Sequence, residues 1–543
     1  MVVNGPILNP LPLGTSSFVE LRRCGQIYVD KTAQIACLAS ERAKLYLLRP
    51  RRFGKSLLVS TFETLFADGL KHFQGLAIEK CWHDKTYPVV HLDFSSVREF
   101  DSIEDFRLQF ARMLADAFAP QGFVYAEKDD DAVDSQLARW FDTLPGTSLV
   151  LLVDEYDAPL TASLADLPLF DAVRSEMSKF FGRVKSKDRV FRFVFLTGIT
   201  RFNQLGLFSE LNQFTDLTLD PACGTLLGYT EEELVRYFSR ELDAAAAALG
   251  LTREEVVEAM RCHYDGYCFD DEVSTHVYAP WSVLNFLRRP SRGFRNYWIS
   301  SGGSVSALRQ YLATHVLRRP EDYGEEQSIP YDVLDSSVDA SELNDLALLA
   351  QTGYLTIKRR EMDTFFLGYP NREVAAAMAT LYSTQLLNEK TLPQIGAGTL
   401  VQSLFLGDER SVFEALDRTF LKMDYQQYPV TDEAVCRSYV LVILGSADLD
   451  VLAERRNALG RSDIEFDAGE WHWVMELKFL RENEPETASD RLLKQAVTQM
   501  KARRYGESSH LKLKRVAMVF SQKARSFVRW QVVESEPARA VSA

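Results

Sequence analysis

The chain has 543 residues, 46% hydrophobic and 25% charged, with 62 Lys and Arg against 76 Asp and Glu and a net charge of −14. That length exceeds what one hydrophobic core supports and predicts two to four domains of ordinary globular composition. There is no run of about 18 apolar residues and no basic-then-apolar start, so neither a membrane span nor a secretory leader is expected.

From the N-terminus, apolar runs alternate with helical patterns for about 220 residues, as in a parallel sheet covered by helices. Strands are predicted at Lys44–Leu48, Tyr87–Phe94, Ser148–Val153 and Val190–Leu196, with a fifth at Asp216–Leu219. Helices are predicted from Lys55 to about Asp68, at Ile103–Phe118 and at Leu169–Val184. Next come helices at Glu231–Leu249 and Arg253–Tyr264, then aromatic loops at Tyr264–Phe269 and Tyr297–Gly302. A hairpin is expected within Tyr354–Tyr369 and a helix at Arg372–Asn388. The last part, from about Thr399, reads helix, strand, strand, helix, strand, with a helix at Asp432–Leu444 and a final strand at Val516–Phe520.

The first strand runs into Arg49-Pro-Arg-Arg-Phe-Gly-Lys-Ser56 and then an apolar helix, the order that a phosphate-binding loop needs. Backbone N–H groups of Arg51, Arg52, Phe53 and Gly54 would cradle phosphate oxygens, Lys55 would supply a point charge, and Ser56 would offer its hydroxyl to Mg²⁺. Arg49 stands where the usual pattern has glycine, and Pro50 removes a backbone donor; the arginines at 49, 51 and 52 could compensate by pairing with phosphate. About a hundred residues on, Ser148–Val153 ends in Asp154-Glu155. Asp154 would hold the Mg²⁺ shell and Glu155 would polarise a hydrolytic water. A third apolar strand ends in Thr197-Gly-Ile-Thr200, where Thr197 could touch a γ-phosphate or could belong to a bare turn. Asp93 is a strand-end acid near this site without an assigned task.

In the C-terminal part, Asp463 precedes Glu476-Leu-Lys478 by thirteen residues. Residues two apart on a strand share a face, so Glu476 and Lys478 would project together and Asp463 could join them from the neighbouring strand. Two carboxylates suit a hard divalent ion, and a lysine beside them can orient an attacking water. A merely structural ion pair among bulky apolar neighbours such as Val474 and Met475 would be costly to bury. Glu433, on the preceding helix, is a further candidate ligand, a surface glutamate being the other reading. His472 shares the Glu476 face and reads as a strand-end histidine. Seven scattered cysteines without a Cys-x-x-Cys pair point to reduced thiols in a cytoplasm and away from structural zinc. Although the chain is acidic, Arg491–Arg529 holds eleven Lys or Arg and one acid, Glu507, a local charge suited to phosphates or to a solvated helix face.

With these residues assembled, the chain resembles a bacterial and archaeal family that joins an AAA-ATPase-like domain to a C-terminal PD-(D/E)XK nuclease domain. The matching text includes Tyr28–Thr32, Arg49–Ser56, Val153–Asp157, Thr197–Thr200, Gly228–Glu233, Tyr264–Tyr267, Leu367–Asn371, Gly460–Asp463 and Glu476–Lys478. The arginine-rich loop is part of that family's own pattern. The resemblance implies an α/β architecture: an AAA-like P-loop core over residues 1–225, a helical lid region with a small hairpin over 226–398, and a restriction-endonuclease-like domain over 399–543. It also implies ATP with Mg²⁺ at the first site, and Mg²⁺ or Mn²⁺ at the second, with Asp463, Glu476 and Lys478 catalytic. Gln499 and Tyr505 resemble a polar pair near the metal in related nucleases. The expected partner is nucleic acid, DNA ahead of RNA, with a role in antiphage defence left open. AAA-like domains often form rings, so a homo-oligomer is open too. The rival expectation is a nucleotide-driven switch whose degenerate nuclease domain only binds.

Overall fold

The computed structural model describes residues 10–126, 131–201, 213–300, 326–335, 344–447 and 449–533, the last without 450, 454–455, 458–459, 504 and 507–509. Of the segments singled out in the sequence, 301–302 of the aromatic loop and Arg504 and Glu507 of the basic stretch lie outside the described residues. Two compact units emerge. One holds the described residues before 316 together with Glu326–Glu373, and the other holds those from Val374 onward. Among the described residues no helix is long and apolar enough to cross a membrane.

The first unit is built on a parallel sheet of β1 (Ala43–Leu48), β2 (Val89–Asp93), β3 (Leu149–Asp154), β4 (Phe191–Gly198) and the short β5 (Thr215–Asp216), in the order β2-β3-β4-β1-β5. β3 and β4 are buried along their whole length. Their near-continuous apolar sequences, Leu-Val-Leu-Leu-Val and Phe-x-Phe-Val-Phe-Leu, are what a strand covered on both faces requires. Helix α1 (Lys55–Asp68) lays Phe62 and Phe66 against Phe193 and Phe195 on one face. On the other, α2 (Ile103–Phe118) buries Phe106, Phe110, Leu114 and Phe118, spaced one helical turn apart, with Val173, Met177, Phe180 and Val184 of α3 (Leu167–Ser186). Arg192 is buried on this sheet, and its guanidinium is satisfied by Asp84 and by the carbonyls of Ala39, Ser40 and Glu41.

Following the sheet, the single helix expected at Glu231–Leu249 is two: Glu231–Tyr237 and Ser239–Leu249, broken at Phe238. Phe238 leaves helical geometry, and both pieces turn Leu234, Phe238, Leu242 and Ala245 into one core. The expected hairpin, β7 (Thr356–Glu361) and β8 (Thr364–Gly368), is joined by β6 (Gln327–Pro330) to make a three-stranded sheet. A four-residue edge strand ending in proline carries too little periodicity to be read in advance.

The second unit holds a sheet in the order β13-β12-β11-β10-β9, from β9 (Val451–Ala453), β10 (Ile464–Ala468), β11 (Trp471–Leu480), β12 (Lys512–Ser521) and β13 (Ser526–Val532). β11 and β12 are parallel and joined by helix α12 (Ala488–Arg503), whereas the other pairings are antiparallel. (The helices between are numbered α4 Glu231–Tyr237, α5 Ser239–Leu249, α6 Arg253–Tyr264, α7 Pro280–Arg288, α8 Arg372–Leu386, α9 Leu400–Leu406, α10 Glu409–Lys422 and α11 Glu433–Gly445.) α12 packs Ala496 and Met500 against Val474, Ala517 and Tyr505. The opposite face takes Phe413 and Phe420 of α10 against Phe520, Phe527 and Trp530. The chain does not end its sheet at Phe520. β13 follows, with only one face buried and Arg529 and Gln531 turned outward.

Candidate active sites

The first site forms at the C-terminal edge of the parallel sheet, where β1, β4 and β3 end side by side. Gly54, just before α1, has φ +92°, a left-handed conformation that a side chain resists. A Gly54→Ala protein is expected to lose about 1–2 kcal/mol of stability, read by urea unfolding, because the strain is local and the added methyl meets only the Leu227 side chain, at an ordinary contact distance of 4.0 Å.

Lys55 is buried at the start of α1 and donates to the carbonyls of Arg49 (2.9 Å) and Pro50 (3.1 Å). Burial pushes its ammonium down to about 8, with Asp157 and Asp154 opposing that drop. Asp154, ending β3, is hydrogen-bonded by the Ser56 hydroxyl; burial raises its carboxyl, with Ser56 and Lys55 acting against the rise. The strand register sets Asp93 directly beside Asp154. Glu155 follows in a left-handed conformation, φ +50°, and pairs with Arg98. Arg98 is a residue that sequence reasoning missed, because nothing local ties the turn after β2 to the end of β3.

Of the loop arginines, Arg51 is half-buried, with burial lowering its guanidinium and Asp157 opposing, and Arg52 lies over the Trp281 ring at 4.2 Å. Arg49 corrects the expectation that all three arginines face phosphate. It is 1% exposed, donates to the carbonyls of Leu48, Thr218 and Cys223, and stacks on Phe269. The Phe53 ring turns inward against Tyr267 and Phe269, leaving its backbone as what it can offer a ligand. The Thr197 hydroxyl donates to Leu47 O at 2.9 Å, which commits its proton to the sheet.

Asp157, also missed, accepts from the N–H groups of Ile199 (3.1 Å) and Thr200 (2.8 Å) and so ties the end of β4 to the turn after β3. Gly198 permits that approach, since a Cβ there would lie 2.6 Å from the Asp157 carboxylate. Beside the loop lies a cavity lined by Tyr28, Val29, Gly54, Leu57, Leu227 and Tyr229, among others.

The second site forms on one face of β10 and β11, with α11 beside it. Ile464 pairs with Met475, so Asp463 stands one step further along, opposite Glu476. Asp463 Oδ2 accepts the Leu477 N–H at 2.8 Å, and Arg437 of α11 reaches Oδ1 at 3.3 Å. Lys478 Nζ lies 3.0 Å from Glu476 Oε1 and 3.5 Å from Glu433 Oε1. The structure thus brings together Glu433, Asp463, Glu476 and Lys478. Arg437, one turn after Glu433, was missed, though the i,i+4 spacing from Glu433 was available as a signal.

Glu476 is fully buried, and its Oε2 has no hydrogen-bond partner. Burial, reinforced by the charge of Asp463, pushes its carboxyl up to about 7, against the pull of Lys478. Burial likewise raises Glu433, with Lys478 opposing. Burial works against the charge of Lys478, yet Glu476 and Glu433 hold its ammonium above the usual lysine value.

These shifts make the metal-free unit pH-sensitive. A carboxyl raised from near 4.5 to about 7 binds its proton better folded than unfolded. Its contribution is therefore present below the ordinary value and is lost as pH rises through 7. Denaturant unfolding in chelator is expected to show the second unit losing up to ~3 kcal/mol between pH 4.5 and 7.5. Glu476→Gln should flatten that slope.

Among the described residues no group of three or more His, Cys, Asp and Glu forms a ready-made metal cluster. The second site nonetheless fits a hard divalent ion. Its donors are carboxylate oxygens, and the orphaned buried Glu476 Oε2 beside Asp463 is an acceptor that a cation would satisfy. His472 shares this face but is engaged by Asp467 (2.5 Å) and Glu465 (3.6 Å) rather than by Glu476. Tyr505 is buried and its hydroxyl accepts from Arg503 at 3.1 Å; Gln499 is half-buried on α12.

Residues 12–208 match the model of a predicted AAA-ATPase family, and residues 431–530 match that of the PD-(D/E)XK nuclease superfamily. The chain is also 29% identical over 537 residues to a protein of Azotobacter chroococcum mcd 1 described as "Uncharacterized protein in vnfD 5'region". That alignment covers 97% of this chain and 99% of the other. The strand-end loop with its paired acids and the carboxylate–lysine face each fall within a matched segment, so this chain carries an AAA-ATPase-like domain followed by a PD-(D/E)XK nuclease superfamily domain.

Proposed function

We propose that the protein is an ATP-regulated, divalent-metal-dependent nuclease that takes DNA ahead of RNA. The observation that carries this reading is the convergence of Glu433, Asp463, Glu476 and Lys478 around an unpartnered buried carboxylate oxygen. Such an arrangement is poorly rewarded as a structural ion pair.

In the first domain, the backbone of Arg51–Gly54 and the N-terminus of α1 receive the phosphates of ATP, and Lys55 turns from its loop carbonyls to the phosphate oxygens. Ser56 and Asp154 would hold Mg²⁺, and Glu155, once released by Arg98, accepts a proton from the attacking water. The apolar cavity beside Gly54 suits the nucleobase. Thr197 keeps to its backbone partner and aligns the strand end. Hydrolysis shifts residues 226–398, which act as a lid, and that change permits cutting.

In the second domain, Asp463 and Glu476, with Glu433 as a third ligand, would hold Mg²⁺ or Mn²⁺. Such an ion, when bound, neutralises phosphoryl charge and makes water more acidic. Lys478 orients the attacking water at the phosphorus, its Nζ held in place by Glu476 and Glu433. Exposed Arg491, Lys494 and Lys501 on α12 offer the phosphate backbone a track.

The test is incubation with linear, circular and single-stranded DNA and with RNA, with Mg²⁺ or Mn²⁺, with and without ATP. Metal-dependent cleavage that responds to ATP supports the reading. Nucleic-acid binding without cleavage under every condition would replace it with a binding-only switch.

A further inference from the structure

Arg437 and Lys478 between them face three carboxylates, those of Glu433, Asp463 and Glu476. Lys478 serves Glu476 and Glu433, while Arg437 hydrogen-bonds Asp463 at Oδ1 and acts on Glu433 through its charge. The other Asp463 oxygen accepts the Leu477 N–H, so both oxygens are occupied and the carboxylate plane is fixed. The two partners are largely sheltered from water, with 18% and 14% of their side-chain surfaces exposed.

A divalent ion approaching the orphaned Glu476 Oε2 meets this guanidinium across Asp463. The two cations then compete for one carboxylate, and their mutual repulsion is poorly screened in a sheltered site. A phosphodiester changes that balance, since it brings an anion whose paired oxygens match the guanidinium fork.

Building on the proposed nuclease reading, we propose that Arg437 is a positioning residue that restrains Asp463 in the unliganded protein and passes to a phosphodiester oxygen when nucleic acid arrives. Metal and nucleic acid then bind cooperatively, and the site is loaded with its ion chiefly when a strand is present. No bond is made or broken in this exchange. The guanidinium trades its hydrogen bond to Asp463 for one to a phosphodiester oxygen.

The test is Mn²⁺ binding to the full-length protein, followed by electron paramagnetic resonance at fixed ionic strength, with and without a short phosphorothioate duplex that resists cutting. For the wild type, the duplex is expected to tighten Mn²⁺ binding by about tenfold or more, an ordinary size for coupling between two ligands. Arg437→Gln should bind Mn²⁺ about tenfold more tightly without the duplex and lose most of the response to it. Arg437→Lys, which keeps the charge but not the fork, should bind Mn²⁺ alone as the wild type does and show a smaller response to the duplex.

Unchanged or weaker Mn²⁺ binding by a folded Arg437→Gln protein would overturn the proposal. So would a wild-type Mn²⁺ affinity indifferent to the duplex, a measurement that needs no variant to fold. Wild-type protein that binds no Mn²⁺ under either condition would instead defeat the metal-dependent reading on which the proposal rests.

Discussion

Lys478→Ala is expected to lower the rate of nucleic-acid cleavage about a thousandfold while leaving ATP hydrolysis in place, the scale seen when one preorganised electrostatic partner is removed from an active site. Two effects combine. The water loses the ammonium that orients it, and Glu476 loses its nearest positive charge, 3.0 Å away. Burial and Asp463 already raise the Glu476 carboxyl to about 7, and without Lys478 it rises further. A larger share is then protonated at neutral pH and unavailable to a cation. Residual cleavage by the variant should therefore grow with pH more steeply than in the wild type. Gel assays of a DNA substrate from pH 6 to 9, with ATPase rates measured in parallel, check both points. Cleavage retained at the wild-type rate would remove Lys478 from the chemistry.

Lys55→Met should weaken ATP binding by at least about a hundredfold, since hydrogen bonds to charged groups contribute roughly 1.5–3 kcal/mol each. Its effect on stability should run the other way. The unfolded chain holds the lysine proton up to pH 10.5, and the folded chain only up to about 8. Between those values the unfolded state binds more protons, so the unliganded protein gains stability as pH rises from 8 to 10.5. At pH 7 the buried ammonium costs about 3 kcal/mol. Methionine fills similar space without that charge but abandons the bonds to Arg49 O and Pro50 O. The net expectation is an unliganded variant at least as stable as the wild type, yet indifferent to ATP. Thermal melts with and without ATP and Mg²⁺ read both effects. An ATP-induced rise in melting temperature equal to that of the wild type would contradict the account.

Much of this structure was legible because its elements carry strong local signals. α2 at Ile103–Phe118 matches its expected bounds, as periodic phenylalanines and a Ser102 cap that accepts from the Asp105 N–H mark both its face and its start. β3 announces itself as an unbroken apolar run and β4 as one interrupted only by Arg192, the two ending in Asp154 and in Thr197-Gly198. What escaped depends on partners distant in sequence. Arg49 reads as a phosphate ligand until the chain folds back to supply the carbonyls of Thr218 and Cys223. Arg98, Asp157 and Arg437 acquire meaning only through Glu155, the backbone of Ile199 and Thr200, and Asp463, respectively. β13 was missed because a half-exposed edge strand with Arg529 and Gln531 lacks the apolar density of its neighbours. The break inside Glu231–Leu249 escaped because Phe238, which leaves helical geometry, is buried in the same core as the helix residues around it.

The alternation rule placed Glu476 with Lys478, and the observed register, ending at Ile464 opposite Met475, leaves Asp463 just beyond that pair with its Oδ2 on the Leu477 N–H. From that register follows the prediction that one cation serves both carboxylates. Crystals grown or soaked with Mn²⁺ and measured for anomalous scattering test it directly. The account predicts a peak about 2.0–2.6 Å from oxygens of both Asp463 and Glu476, with Lys478 Nζ close by. Full occupancy of Mn²⁺ elsewhere in the second domain, or no peak at millimolar Mn²⁺ with nucleic acid bound, would contradict it.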